Sequence, residues 1–307
     1  MEKKTFMVTS LDAGQRIDKF LKKMMPAAPL SLIYKLLRTK DVKVNNARIK
    51  EDYILEIDDS VTIFLTEAQA SEFLTPYAFA EVEKDFDVLY EDDQILVTHK
   101  KSGLLVHSTQ NEKIETLANM VLTYLFRKGE FDPTARGYIP SPVARIDQDT
   151  DGVVVFSKKQ VTHQVLANAF TNESMVRRAY RLVVYGIVKP DVGIINFPLI
   201  KENGIVKVDP KGHVASTRYQ VLKYGKDKTY LEAILLTGRQ HQIRVHFQNL
   251  GHPILGDQKY GKKGDGYPFA LNAYALTFMN LEFPLDYLNE KTFIADNTKE
   301  LMTLIGG

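Results

Sequence analysis

Cysteine is absent from the 307 residues. That excludes disulfide frameworks, cysteine-ligated zinc, iron–sulfur clusters and thiol nucleophiles together. Long apolar runs are also missing. Val153-Val154-Val155-Phe156 is as long a run as the chain has, and crossing a bilayer takes about 20 residues. The opening MEKKTFMVTS carries neither an apolar core nor a small-residue cleavage site, so no secretory signal is expected there. No internal repeat or low-complexity tract stands out. The rest is an ordinary globular composition, 44% hydrophobic and 25% charged. It excludes wholesale disorder and suits one large or two modest domains. The expectation is an intracellular, cytoplasmic protein with no membrane partner.

Net charge is only +2, but its distribution is uneven. Between Gln15 and Lys50 stand ten basic residues, among them Arg16, Lys35, Arg38 and Lys43, against Asp18 and Asp41, a balance of +8. Glu81 to Asp93 holds seven acids against Lys84, a balance of −6. Such asymmetry fits an N-terminal segment that meets a polyanion, and equally a solvated lysine- and arginine-rich helix face.

Residues 15 to 65 read as a small unit. Ile17, Phe20, Leu21 and Met24 make a helical stripe that Pro26 and Pro29 end. Ser31 is expected to cap a second helix with Ile33, Leu36 and Leu37 inside. Val42-Lys43-Val44 alternates like a strand, Asn45-Asn46 is a turn signal, and Val61 to Leu65 reads as a closing strand. The aperiodic stretch 67–81 reads as a linker. Beyond it, Ile95 to Val97, Gly152 to Phe156, Tyr180 to Val184 and Tyr230 to Leu236 read as strands. Two helical stripes follow the same rule: Ile114, Leu117, Val121, Tyr124 and Leu125, then Val161, Val165, Leu166, Ala169 and Phe170. Ile243, Phe247 and Leu250 mark a helix stopped by Gly251 and Pro253. Strands outnumber helices without alternating strictly with them, which predicts an α+β fold. The expected division is a module at 1–66, the linker at 67–81 and a larger domain at 82–307.

Three constellations can carry chemistry. Arg145-Ile146-Asp147-Gln148-Asp149-Thr150-Asp151-Gly152 opens like a calcium loop. Lys158 stands where that loop needs a bidentate Glu, and a Val-rich strand follows instead of a helix. An acidic turn and a catalytic carboxylate at Asp147 remain. A carboxylate buried beside an arginine stays ionised, and in that form it is a competent nucleophile at an anomeric carbon. Thr237 to His246 packs two Arg, two His and two Gln into ten residues. His241 and His246 do not share a helix face, so zinc is not expected. Arg239 and Arg244 read as phosphate or carboxylate partners, or as plain surface arginines. Tyr180, entering a strand, suits either sheet packing or stacking on a base.

In this order the pieces resemble one family, the RluA-type pseudouridine synthases. The resemblance runs nearly the whole length. The catalytic signature usually reads His-Arg-Leu-Asp-x-x-Thr-Ser-Gly and stands here as Ala144-Arg145-Ile146-Asp147-Gln148-Asp149-Thr150-Asp151-Gly152. Lys101-Ser102-Gly103-Leu104-Leu105-Val106-His107 and Arg178-x-Tyr180 match its other motifs. The most specific match is Leu236-Thr237-Gly238-Arg239-x-His241-Gln242-Ile243-Arg244-Val245-His246, followed by Gly251-His252-Pro253-Ile254-x-Gly256-Asp257-x-x-Tyr260-Gly261. Residues 15–65 are similar to the small RNA-binding module of ribosomal small-subunit proteins. Three departures stand out: Ala144 replaces a His, Asp151 replaces a Ser, and Ser31-Leu32-Ile33 replaces a Ser-Arg-Ser run.

The resemblance implies a mixed, mostly antiparallel sheet flanked by helices and loops, preceded by a small α+β module. It implies isomerisation of uridine to pseudouridine within RNA, with no cofactor and no metal. The absence of a P-loop and of a Rossmann glycine fingerprint accords with that. Asp147 is then the essential carboxylate, Arg244 its partner, and Tyr180 the ring that meets the detached uracil. Arg145 and Arg239 would contact RNA at the site; Arg16, Lys35, Arg38 and Lys43 would do so from the module. Ribosomal RNA is the favoured substrate, transfer RNA the other candidate, and a monomer the expected state. A non-catalytic RNA-binding protein on the same fold is the alternative that Ala144 and Asp151 suggest.

Overall fold

The protein, seen here in a computed structural model, is described over residues 2–8, 12–25, 28–73, 81–108, 114–133, 138–172 and 174–306. It divides into two compact units: residues 1–79 with 129–137, and residues 80–128 with 138–307.

The first unit contains β1 (Glu2–Met7), α1 (Ile17–Met24), α2 (Leu30–Arg38), β2 (Val42–Val44), β3 (Ala47–Arg48), β4 (Ser60–Leu65) and α3 (Glu67–Phe73). Its antiparallel sheet has the order β1-β4-β2-β3. The stripes predicted for both helices face its core: Ile17, Phe20 and Leu21 pack with Ile33, Leu36 and Leu37. Asn45 and Asn46 take φ of 50° and 64°, the left-handed pair that closes a two-residue hairpin with the right twist. Ser31 does not cap α2. The helix begins one residue earlier, at Leu30, behind an extended Pro29 with no side-chain cap; proline's fixed φ already sets the entry. Pro26 lies outside the described residues.

A helix also occupies the start of the expected linker. Thr66 and Gln69 cap each other, the Gln69 N–H donating to Thr66 Oγ1 (3.2 Å) and the Thr66 N–H to Gln69 Oε1 (3.0 Å). This capping box starts α3, and Ala70 and Phe73 join the unit's core. Residues 74–80 lie outside the described residues.

The second unit runs β5 (Phe86–Glu91), β6 (Ile95–Lys100), α4 (Leu117–Arg127), β7 (Ser141–Pro142), β8 (Asp151–Ser157), α5 (Gln160–Thr171), β9 (Val176–Tyr185) and β10 (Val192–Ile195). It continues with β11 (Leu199–Glu202), β12 (Ile205–Val208), β13 (Thr217–Tyr224), β14 (Lys228–Leu235), α6 (Gln242–Asn249), β15 (Leu271–Phe278), β16 (Thr292–Ile294) and α7 (Thr298–Ile305). The main sheet has the order β10-β13-β14-β9-β15-β8-β6-β5, with β16 on β15 and β7 on β8. Its described pairings are antiparallel except β15 with β8. The architecture is the mixed α+β one expected. One core gathers β9 and β14 with α6 and α7, and another gathers β6 and β8 with α5.

Two predicted stripes are trimmed. Ile114 is exposed and precedes α4, which starts after Thr116, whose side chain accepts the Asn119 N–H. Val161 is exposed on α5. The parallel junction positions the site. There Gly152 pairs with Ala273 at φ +132°, and a Cβ on it would stand 2.4 Å from the Ala273 carbonyl oxygen. Only glycine lets β8 run so close to β15 immediately after the Asp147 loop.

Candidate active site

Asp147 sits in the loop between β7 and β8, and that loop is tied down on its other side. Fully buried Lys100, at the end of β6, donates from Nζ to the carbonyls of Lys101 (2.9 Å), Leu104 (2.7 Å) and Gln148 (2.7 Å). Burial brings its ammonium down to about 8, although Asp151, Asp149 and Asp147 pull the other way. Gly103 and Gln148 exchange two further bonds at 3.0 Å, and Ser102 Oγ donates to the Asp149 carbonyl at 2.6 Å. A backbone held at so many points cannot swing its carboxylate freely.

The predicted partner is in place. Arg244, on α6 and 6% exposed, donates from Nη1 to Asp147 Oδ2 at 2.8 Å. Its other face forms a two-pronged pair with Asp257, Nε to Oδ2 (2.9 Å) and Nη2 to Oδ1 (2.8 Å). Asp257 Oδ1 also accepts the N–H groups of Lys259 (2.9 Å) and Tyr260 (3.0 Å). Burial alone would raise the Asp257 carboxyl, but the arginine and these N–H donors hold it below its usual range. Tyr260 and Phe269 lie on the guanidinium at 5.1 and 4.9 Å from their ring centres. Arg244 is thus fixed by a buried acid and two rings, with its Nη1 amino group left to hold Asp147.

The other oxygen of Asp147, Oδ1, makes no hydrogen bond among the described residues. His241 Nε2 stands 3.8 Å from it. His241 Nδ1 is 2.7 Å from Tyr260 Oη, which also accepts the Val206 N–H at 3.1 Å.

Asp147, Arg244 and His241 border a cleft of about 1000 Å³ that Tyr180, Arg145 and Arg239 also line. Tyr180 is half-buried on β9. Burial pushes its phenol up to about 12, with Arg178 opposing and Asp147 assisting. Arg145 is exposed at the cleft with no hydrogen bond or ion pair among the described residues. Arg239 is exposed too, its Nε donating to the Val214 carbonyl at 3.1 Å. The three residues expected at the reaction centre therefore share one cleft, and both cleft arginines are available to a ligand. Sequence alone assigned no role to Asp257, His241, Arg178, Lys259 or Lys263, although the last four also line the cleft. Six cations face it against Asp147 and Asp149, a balance suited to a phosphate backbone.

Gln242 and His246 of the Thr237 to His246 segment are structural, whereas exposed Gln240 lines the cleft. Gln242 accepts from Thr237 Oγ1 (2.8 Å) and the Arg239 N–H (3.0 Å), and donates to the Ser216 carbonyl and Thr217 Oγ1 (both 2.9 Å). His246 is fully buried between Thr217 Oγ1 (3.0 Å) and the Phe197 carbonyl (3.1 Å). Asp151, which departs from the family pattern, accepts from Asn272 (3.0 Å) and Asn297 (3.0 Å), with His99 Nε2 at 3.4 Å. Its charge serves the β8–β15 junction. No group of His, Asp and Glu among the described residues is arranged to hold a metal ion.

In the first unit, Lys35 and Arg38 are exposed on the last turns of α2. Lys43 is half-buried, its Nζ 5.4 Å from the Phe64 ring centre. Arg16 pairs with Asp18 at 3.0 Å, so its charge is partly spent within the module.

A mixed sheet whose cleft carboxylate is held by an arginine that a second, buried carboxylate anchors accords with the resemblance read in the sequence, and the comparisons give the class. The RNA pseudouridylate synthase family model matches residues 94–249, and the S4 domain model matches residues 15–61. Ribosomal large subunit pseudouridine synthase C of Vibrio parahaemolyticus is 35% identical over 279 residues, covering 88% of this chain and 85% of that one. The protein of the same name from Escherichia coli is 34% identical over 272 residues, 85% and 80% of the two chains. An uncharacterized RNA pseudouridine synthase of Bacillus subtilis is 32% identical over 253 residues, 81% and 80%. Among solved structures, human RNA pseudouridylate synthase domain containing 4 superposes with a TM-score of 0.56 over 70% of this chain and 90% of its own, at 20% identity; this concerns the fold alone. The chain belongs to the RNA pseudouridylate synthase family and carries an N-terminal S4 domain. It is an isomerase of RNA uridines.

Proposed function

We propose that this chain isomerises uridines in large-subunit ribosomal RNA, acting as a monomer in the cytoplasm, with Asp147 as the reacting carboxylate. The observation that carries the reading is the unequal use of its two oxygens: Oδ2 is held by Arg244, and Oδ1, at the cleft, has no hydrogen bond among the described residues. A carboxylate so held meets the ribose with a fixed orientation, which is worth far more than the same group on a mobile chain. It either attacks the anomeric carbon or takes a ribose proton. The bond to the uracil nitrogen breaks and the base turns; its carbon five bonds to the anomeric carbon as the carboxylate leaves that carbon or returns the ribose proton, the hydrogen of carbon five leaves as a proton, and the freed nitrogen takes one up.

Tyr180, protonated at neutral pH, offers the loosened uracil a ring to stack on and a hydroxyl donor. The target nucleotide must leave its helix to reach the cleft, at a cost of a few kcal/mol. Arg145 and Arg239 offset part of that cost by holding the opened strand. The ribosomal substrate is supported by the names of the relatives and by the S4 domain.

The test is incubation with ribosomal RNA and, separately, with transfer RNA, followed by mapping of carbodiimide-dependent primer-extension stops. Stops in large-subunit RNA are expected. Stops confined to transfer RNA would overturn the substrate, and RNA binding without stops in either would favour a non-catalytic binder.

A further inference from the structure

The open oxygen of Asp147 faces a histidine whose state the fold controls. His241 immediately precedes α6 and takes a left-handed backbone conformation, φ 54°. This turns its ring between Asp147 and Tyr260. Tyr260 Oη accepts the Val206 N–H, so the phenol's own hydrogen is free to go to His241 Nδ1, 2.7 Å away. The neutral ring then carries its hydrogen on Nε2, the nitrogen 3.8 Å from Asp147 Oδ1. The opposite tautomer would turn a lone pair toward a carboxylate. The chain of contacts runs from the β12 backbone through Tyr260 and His241 to the reacting group, all within the second unit.

We propose that His241 is a positioning residue for the isomerisation: its neutral Nε2–H aims Asp147 Oδ1 at the ribose, and its imidazolium silences that oxygen by pairing with it. This rests on the reading of Asp147 as the reacting carboxylate. The charged and titratable groups that face the ring are Asp147 from the catalytic loop, Arg244 from α6, and Asp257, Lys259 and Tyr260 from the turn after α6. The two acids and two cations oppose one another, and burial decides, keeping the imidazole below its usual range. The ring is therefore neutral at neutral pH. It becomes charged only on acidification, when a second hydrogen on Nδ1 reverses the Tyr260 bond.

The experiment is the pH dependence of the single-turnover rate on a ribosomal RNA fragment, between about pH 5 and 8, for the wild type, His241→Gln, His241→Ala and Tyr260→Phe. Asp147→Asn serves as the control. Glutamine keeps an N–H donor near the place of Nε2 but cannot become a cation. His241→Gln should stay within about tenfold of the wild type at neutral pH and lose the acid-side fall in rate; His241→Ala should lose about a hundredfold. Tyr260→Phe keeps its ring on Arg244 but frees Nδ1, and should move the acid-side fall to higher pH. An unchanged acid limb in His241→Gln, or a wild-type rate in His241→Ala, would overturn the proposal. So would an unmoved limb in Tyr260→Phe, which also serves if the alanine variant folds poorly. If Asp147→Asn itself keeps its activity, the assignment of the carboxylate fails instead.

Discussion

At the residue scale, Arg244 joins two carboxylates of different use. Asp257 is 1% exposed and spends its oxygens on Arg244 and two backbone N–H groups, whereas Asp147 borders the cleft with one oxygen to spare. Removing one partner of a buried pair leaves an uncompensated charge, at about 3–5 kcal/mol, so the Arg244–Asp257 half serves as the rigid mount. Tyr180 invites a sharper test. Burial pushes its phenol up to about 12, so it keeps its hydrogen at neutral pH, and the proposed reading makes it a donor to the loosened uracil. Tyr180→Phe keeps the stacking surface and loses the donor. The single-turnover rate should fall about a hundredfold or more while RNA affinity, measured by filter binding, changes by about twofold at most. A fall in affinity with an intact rate would make the ring a binding group only. Asp147, Arg244 and Tyr180 took their expected roles from the resemblance, because the motifs that carry them stand in the sequence; local pattern alone left each of them with a structural reading as well. Asp257 and His241 stand within the family's motifs, but their roles exist only through contacts made across the fold.

At the scale of elements, Glu91 at the end of β5 receives Tyr124 Oη (2.7 Å) and Lys128 Nζ (2.7 Å) from α4 and its cap, and Lys158 Nζ (2.8 Å) from the turn after β8. Burial alone would raise its carboxyl, but these three donors hold it at about 2 instead of 4.5. A depressed carboxyl contributes stability that is present above its unfolded value and lost as pH falls through the folded one. Between pH 4.5 and about 2 the wild type should therefore lose roughly 1–2 kcal/mol, after allowance for solvent screening, that Glu91→Gln does not lose. Urea unfolding across that range checks this; parallel curves would contradict it.

Helical periodicity located α1, α2, α4, α5 and α6; α1 and α2 bury one face each, whereas α6 buries every residue from Gln242 to Phe247 and showed through its apolar spacing and its stop at Gly251. The strands from β10 to β13 escaped it: exposed and buried positions mix within them, as at Val192 and Ile194 against Ile195. Two cues were nonetheless present. Asn203-Gly204, both at positive φ, close the β11–β12 hairpin with a two-residue turn. Thr66 and Gln69 announce α3. The parallel pairing of β8 with β15 has no local signature, since it joins segments more than a hundred residues apart.

At the scale of the whole molecule, each unit has a hydrophobic core of its own, and basic charge is concentrated in the S4 segment. Deleting residues 1–79 should leave the second unit folded by circular dichroism. RNA affinity should fall, and its logarithmic salt dependence should flatten by about 0.7–0.9 for each phosphate no longer neutralised. An unchanged salt slope would deny the module its electrostatic role. The α+β class and the two-part plan could be read from the order of elements and the charge asymmetry. The linker was over-extended because a seven-residue helix is too short to show a period.

The most direct measurement of the central claim follows the hydrogen that isomerisation must expel. Ribosomal RNA labelled with tritium at carbon five of its uracils should release tritium to water when incubated with the wild type. With Asp147→Asn it should release none while binding the RNA as tightly. Release by Asp147→Asn at the wild-type rate would contradict the account.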